Sequence, residues 1–468
     1  VQRQYQPFTH RKDFGELHNN NEWILPSLWL ALWNVASPIG AMLGALSGSL
    51  FQDRVGRRLS LATASLLSAI SVAIMFISYL PTSKTNRCIA FLVGKFVQGA
   101  ATGAVMTATQ TYLSEILPPV LRGSGMAFFP AFTLLGQLTG ALVVFGCMGR
   151  EKGYRDAFAS QWPFSFVPIL VAFLIPESPT YLIRKRKTSQ AIQAQTRLAP
   201  ANTDVQAAIT TLTALVAHEE KSAKSASFRQ CFEGKNLRRT MIVLFAMALP
   251  NFFGIPLLAK ASYFLQICGM APNLSIIFLI LGIVIGLLAN IISVWTLARF
   301  KRRLLLLSTL VLCAVYWTAM GIANCFHSAS VVWITAAAMM LTILTAGLGV
   351  WPVSFAIAAE TSSLRLRSKT QGLGWTMSAF STAISGIALP YVVNPVAGGL
   401  RGKVGFTYAV SCLVAVAVGW WGVPEMKGRT VEGIDEMFEG GVGARAWDVQ
   451  RERDVQGGGG VVDMLLRP

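Results

Sequence analysis

A chain of 468 residues that is 53% hydrophobic and only 13% charged, with a mean hydropathy of +0.52, is too apolar for a soluble globular protein and reads as an integral membrane protein. Its formal net charge of +18 would suggest nucleic acid in a soluble chain, but here the basic residues sit in loops between apolar runs, where they set orientation and no nucleic-acid partner is implied. Seven cysteines and four histidines lie scattered without metal-ligand spacing, and no nucleophile–base pair is apparent, so neither a metal or other cofactor nor an enzyme is expected.

In chain order, residues 1–23 are polar and cannot cross a bilayer. Eleven apolar runs follow at about 24–51, 59–80, 88–117, 124–148, 157–176, 241–268, 273–297, 304–326, 331–359, 371–393 and 404–423, each long enough to span. Loops after the first, third and fifth runs hold Arg54, Arg57, Arg58, Arg122 and the dense 184–239 segment; their later counterparts hold Arg299 to Arg303, Arg365, Arg367 and Lys369. The positive-inside tendency makes that face cytoplasmic and leaves residues 1–23 extracellular. Residues 24–180 then form one transmembrane half, 181–240 a cytoplasmic linker with helical periodicity over Thr203 to Glu220, and 241–423 a second half. The tail, 424–468, with Gly457 to Gly460 near its end, is expected to be mostly disordered. Pro250 and Pro256 bracket Asn251 and Gly254, which predicts a broken helix over 241–268. Ala36, Gly40, Gly44 and Gly48, together with Gly99 and Gly103, have the four-residue spacing of closely packed membrane helices.

The two halves repeat one another. Gln52-Asp53-Arg54-Val55-Gly56-Arg57-Arg58 turns the chain between the first two runs, and Arg299-Phe300-Lys301-Arg302-Arg303 does so later, with Arg57 and Arg302 separated by 245 residues. Glu115 and Glu360, and Arg122 and Arg367, have the same separation; Glu177 and Glu425, each after a proline, are 248 apart. Paired halves in parallel register are a transporter design, with the substrate site between them. The counterpart of the 241–268 run would begin ahead of Val1, so the first helix of the first half is expected to be missing.

These residues carry a resemblance. Asp53-Arg54-Val55-Gly56-Arg57-Arg58, Tyr112-Leu113-Ser114-Glu115, Arg122-Gly123, Pro176-Glu177-Ser178-Pro179 and Pro424-Glu425-Met426-Lys427-Gly428-Arg429-Thr430 resemble the cytoplasmic motifs of sugar porters of the major facilitator superfamily. Leu364 to Thr370, Gly136-Gln137-Leu138 and Asn394-Pro395 look most like fungal α-glucoside (maltose) and hexose permeases. The resemblance implies an all-α membrane fold of two pseudo-symmetric halves, twelve helices in the family and about eleven here, rocking around a central sugar site. It implies a charge network of Asp53, Arg57, Glu115 and Arg122, with Glu177, mirrored by Arg302, Glu360, Arg367 and Glu425, that closes the cytoplasmic side and must break for the chain to alternate. The second copy departs from the motif, with Ala298 at the aspartate position.

For sugar binding, Gln137 matches a family glutamine, and Phe355 stands where the family has an aromatic five residues before the motif glutamate. Asn251 survives of three polar positions expected on the seventh family helix; Asn34 and Asn290 are further amides within spans, each as compatible with a helix–helix hydrogen bond as with a substrate contact. Lys95 occupies a position where relatives carry Arg or Glu, which makes it the coupling candidate, within snorkelling reach of the surface. The expected function is sugar transport by alternating access across the plasma membrane, with proton coupling left open. A non-transporting sugar sensor and an inactive truncated paralogue are the other readings.

Overall fold

The structure, a computed structural model, describes residues 16–18, 22–24, 27–147, 153–199, 204–221, 227–326, 328, 330–363, 365–393, 400–429 and 431–447. A short antiparallel pair, β1 (Glu16–His18) and β2 (Glu22–Ile24), precedes the helices. The first half comprises α1 (Ser27–Val55), α2 (Arg57–Ile77), α3 (Lys84–Ile116), α4 (Pro119–Met126), α5 (Phe128–Cys147), α6 (Gly153–Ala159) and α7 (Trp162–Leu174). Three linker helices follow: α8 (Pro179–Arg184), α9 (Thr188–Leu198) and α10 (Val205–Lys221). The second half holds α11 (Gly234–Phe252), α12 (Ile255–Leu258), α13 (Ala261–Ile267), α14 (Pro272–Arg299), α15 (Arg302–Ala323), α16 (Val331–Leu348), α17 (Val350–Thr361), α18 (Arg367–Val393) and α19 (Val404–Gly422), and α20 (Val431–Glu439) lies in the tail.

Among the described residues nine helical stretches are long and apolar enough to cross a membrane. α1 and α18, of 29 and 27 residues, are also long enough. Together they correspond to the eleven apolar runs.

Small residues set how closely the first half packs. A Cβ at Gly40 would lie 2.1 Å from the Phe96 carbonyl oxygen, and one at Gly99 would lie 2.0 Å from that of Ser37, so α1 and α3 touch backbone to backbone. In the second half the run through Pro250 and Pro256 is broken as its prolines predict. α11 ends at Phe252, Gly254 adopts a left-handed φ of 97°, and the chain resumes as the short α12 and α13. The carbonyls freed at the break find donors: the Trp317 indole N–H donates to Phe253 at 3.0 Å, and the Ser411 hydroxyl to Phe252 at 2.8 Å. A second interruption, at Gly349, divides α16 from α17, whereas its counterpart α3 runs unbroken for 33 residues. A Cβ at Gly349 would come within 2.3 Å of the Thr309 methyl.

The linker helices share a small apolar core of Leu182, Ile183, Ala191, Ala194, Ile209 and Val216. The tail departs from its expected disorder over its first part. α20 and the turn after it dock on the second half, with Arg239 paired to Asp435, Arg238 donating to the Val442 carbonyl at 2.6 Å, and Trp447 fully buried against Phe438. Apolar residues Ile434, Met437 and Phe438 on one helical face explain the docking. Gly457 to Gly460 lie outside the described residues, as do Asn394 and Pro395.

Candidate functional site

The basic face is built twice. At the start of α2, the Glu177 carboxylate accepts the backbone N–H groups of Arg57 (2.9 Å) and Arg58 (3.2 Å); at the start of α15, Glu425 accepts those of Arg302 and Arg303, both at 3.0 Å. Each glutamate satisfies the exposed amides of a helix N-terminus and meets the positive end of its dipole. The Arg57 guanidinium grips Glu115 with two bonds of 3.1 and 2.8 Å, both side chains buried, and reaches Asp53 at 3.7 Å. Ser178 adds a hydroxyl to Glu115 at 2.5 Å. In the second half Arg302 pairs with Glu360 at 3.3 Å, and each arginine also donates to the carbonyl five residues before it, Gln52 or Leu297. Under Arg57 lies the Tyr181 ring, 5.1 Å away; burial first, and the Glu177 carboxylate second, push its phenol above the ordinary value.

Several contacts among the described residues join the halves on this face. The Lys369 ammonium pairs with Asp53 at 2.6 Å, and the Arg367 guanidinium donates to the Ser114 carbonyl at 3.0 Å. α18 also crosses α1 so tightly that a Cβ at Gly372 would lie 2.7 Å from that of Ser49 and 3.0 Å from the Ala45 carbonyl oxygen. Farther into the protein, Phe129 of α5 stacks on Phe355 of α17 at 5.4 Å and 14°, with the Trp375 ring 6.1 and 5.7 Å from them.

A narrow cavity with about 30 Å³ of free space lies between α5 of the first half and the broken α11–α13 segment, α14, α16 and α17 of the second. Gln137 supplies its one carboxamide, and the rest of the lining is hydrocarbon, thioether, aromatic or glycine, with Phe278, Met339 and Trp351 among the larger side chains.

Of the predicted substrate residues, Gln137 lines this cavity and Phe355 is buried in the aromatic stack. Asn251 instead donates to the Ser381 hydroxyl at 2.8 Å, bridging α11 to α18. Asn290 is fully buried on α14, donates to the Gly286 carbonyl one turn earlier, and packs against Gly347 of α16. Asn34 is exposed on α1. Lys95 is half-buried on α3 with its ammonium 5.8 Å from the Phe91 ring. Arg122 falls on α4, and its side chain lies outside those described. An ion pair between the halves that the sequence reading missed is Lys369 with Asp53. Its partners are 316 residues apart, and Ala298 at the position equivalent to Asp53 gives it no repeat to be recognised by.

Two helical halves with duplicated charged bases, meeting around a partly enclosed cavity, define a transporter with the fold of the major facilitator superfamily. More narrowly, the chain belongs to the sugar (and other) transporter family, which it matches over residues 2–438. It is 30% identical over 443 residues to the MFS transporter fmqE of Aspergillus fumigatus, covering 92% of this chain and 80% of that protein. It is 28% identical over 456 residues to the general alpha-glucoside permease of Saccharomyces cerevisiae, covering 94% and 72%. Among solved structures, the proton:xylose symporter XylE bound to 6-bromo-6-deoxy-D-glucose matches with a TM-score of 0.80 at 20% identity, over 92% of this chain and 93% of that one. The chain is thus a multi-pass membrane protein of a family of transporters rather than enzymes.

Proposed function

We propose that the protein carries a hexose or α-glucoside across the plasma membrane by alternating access, and that the conformation described is closed on its basic, cytoplasmic face. One observation supports this above the rest: the Lys369–Asp53 pair and the Gly372 crossing join the two halves at the basic face, on the far side of the aromatic stack from the cavity. For cargo to leave, these contacts must part while the Arg57–Glu115 and Arg302–Glu360 pairs keep each half intact. The sugar assignment draws on the family and on the permeases it contains, with Gln137 as the residue that would bond a hydroxyl.

Purified protein in liposomes should take up labelled maltose or glucose saturably, and preloaded unlabelled sugar should accelerate that uptake by counterflow. Flux that rises linearly with concentration and shows no counterflow would remove alternating access, and no flux at all would favour the sensor. Proton coupling draws its support from Lys95, a proton-titratable side chain within a span. An acid-outside gradient is expected to speed uptake in the parent and not in Lys95→Gln; a parent rate indifferent to the gradient ends that part of the proposal.

A further inference from the structure

Two buried glutamines lie where the halves meet, with carboxamide atoms that bond to nothing among the described residues. On α3, Gln110 uses neither its carbonyl oxygen nor its amino group. It stands one helical turn deeper than Ser114, whose carbonyl accepts from Arg367 of α18, and one turn from Met106, which packs on the apolar core that both halves share. Gln371 of α18 is likewise one turn deeper than Arg367. Its amino group donates to the Ala358 carbonyl at 2.8 Å and the Ser362 hydroxyl at 3.0 Å, but its carbonyl oxygen accepts nothing. Ser368 and Trp375 fall in the same row of α18, three residues before Gln371 and four after it, and the Ser368 hydroxyl and the Trp375 indole N–H are also buried without partners. A polar row thus runs along α18 from the aromatic stack to the clamp, unsatisfied as long as the halves stay shut.

We infer that these groups, Gln110 above all, bias the basic face toward parting. An amide buried without a partner forfeits its hydrogen bonds to water and recovers them when the surfaces separate. The Lys369–Asp53 pair and the Arg367 bond to Ser114 hold the face closed, and the unsatisfied row works against them. Opposed in this way, neither state is deep enough to trap the carrier. The inference rests on the alternating-access reading and supplies the drive for one of its steps.

Position 49 reports on closure, because Ser49 is fully buried where α1 crosses α18 at Gly372. In the purified full chain a maleimide should modify Ser49→Cys only while the face is parted, and mass spectrometry of the peptide carrying that cysteine follows the rate. Methionine has the length of glutamine and needs no partner, so Gln110→Met is expected to slow modification at least about fivefold. Ser368→Ala should act in the same direction, and Gln110→Asn, which keeps an amide, should stay near the parent rate. Misfolding would speed modification, so it cannot imitate the expected result. The maximal rate of labelled maltose uptake should fall along with modification in Gln110→Met. Modification unchanged or faster in both Gln110→Met and Ser368→Ala, while Asp53→Asn accelerates it, overturns the inference and leaves alternating access standing. A weaker apparent maltose affinity in Gln110→Met at an unchanged modification rate makes Gln110 a cargo ligand instead, and also overturns it. Protection of position 49 in the parent and in Asp53→Asn alike would mean a face that never parts, which removes the alternating-access reading itself.

Discussion

Arg57 and Glu115 meet as a fork on a carboxylate with both side chains withdrawn from solvent, and removing one partner strands the other. For Arg57→Ala the expected cost is about 3–5 kcal/mol, because a buried carboxylate keeps its desolvation penalty and loses its counter-charge. Thermal unfolding in detergent checks the stability loss, and uptake kinetics should show the maximal rate falling more than the apparent affinity changes. Arg57→Lys should not rescue fully, since a single ammonium cannot reproduce two parallel bonds. Asp53 with Lys369 is a different kind of pair: it joins the two halves and is partly exposed on the aspartate side. Asp53→Asn and Lys369→Gln should each raise the accessibility of cysteines placed at the basic face. The exchanged pair, Asp53→Lys with Lys369→Asp, should restore closure, with a coupling of about 0.5–3 kcal/mol in a double-mutant cycle. Independent effects that simply add would refute the clamp. The contrast also explains what the sequence discloses: duplicated residues such as Arg57 and Arg302 point to their own partners, whereas Lys369 and Asp53 have no second copy to compare.

Helix breaks and helix crossings belong to the next scale. The interruption after α11 is legible because two prolines and a glycine fall within seven residues, and backbone chemistry allows few other outcomes. Its repair is not legible, since nothing in a linear pattern says that Trp317 and Ser411 will reach the freed carbonyls. Trp317→Phe keeps the ring and removes the donor, so a loss of about 1–3 kcal/mol is expected in the unfolding free energy, without a comparable loss from Phe245→Leu nearby on the half-exposed side of α11. Which apolar side chains face the cavity and which face lipid was equally hidden, because on helices apolar all round the pattern has no polar face to mark the inside. Glycines separate two sorts of contact. Gly372→Leu wedges α18 off α1 across the two halves and should open the basic face, read as a longer spin-label distance between them. Gly99→Leu wedges α1 off α3 within one half and should lower yield and melting temperature instead. An unchanged distance in the first variant would mean that the crossing does not hold the face shut.

For the whole molecule, the division into halves follows from the repeat, and so does the placing of the charged bases on one side. The asymmetry between halves does not: α3 is continuous and its counterpart is divided at Gly349, and only one base supplies an aspartate to the other half. The stack of Phe129, Phe355 and Trp375 has a consequence for everything other than the cargo. Three rings in contact between the cavity and the basic face form an apolar barrier, whose one polar group is the unpartnered Trp375 indole N–H. An ion that reaches this stack meets a low dielectric, in which an unpaired charge is costly.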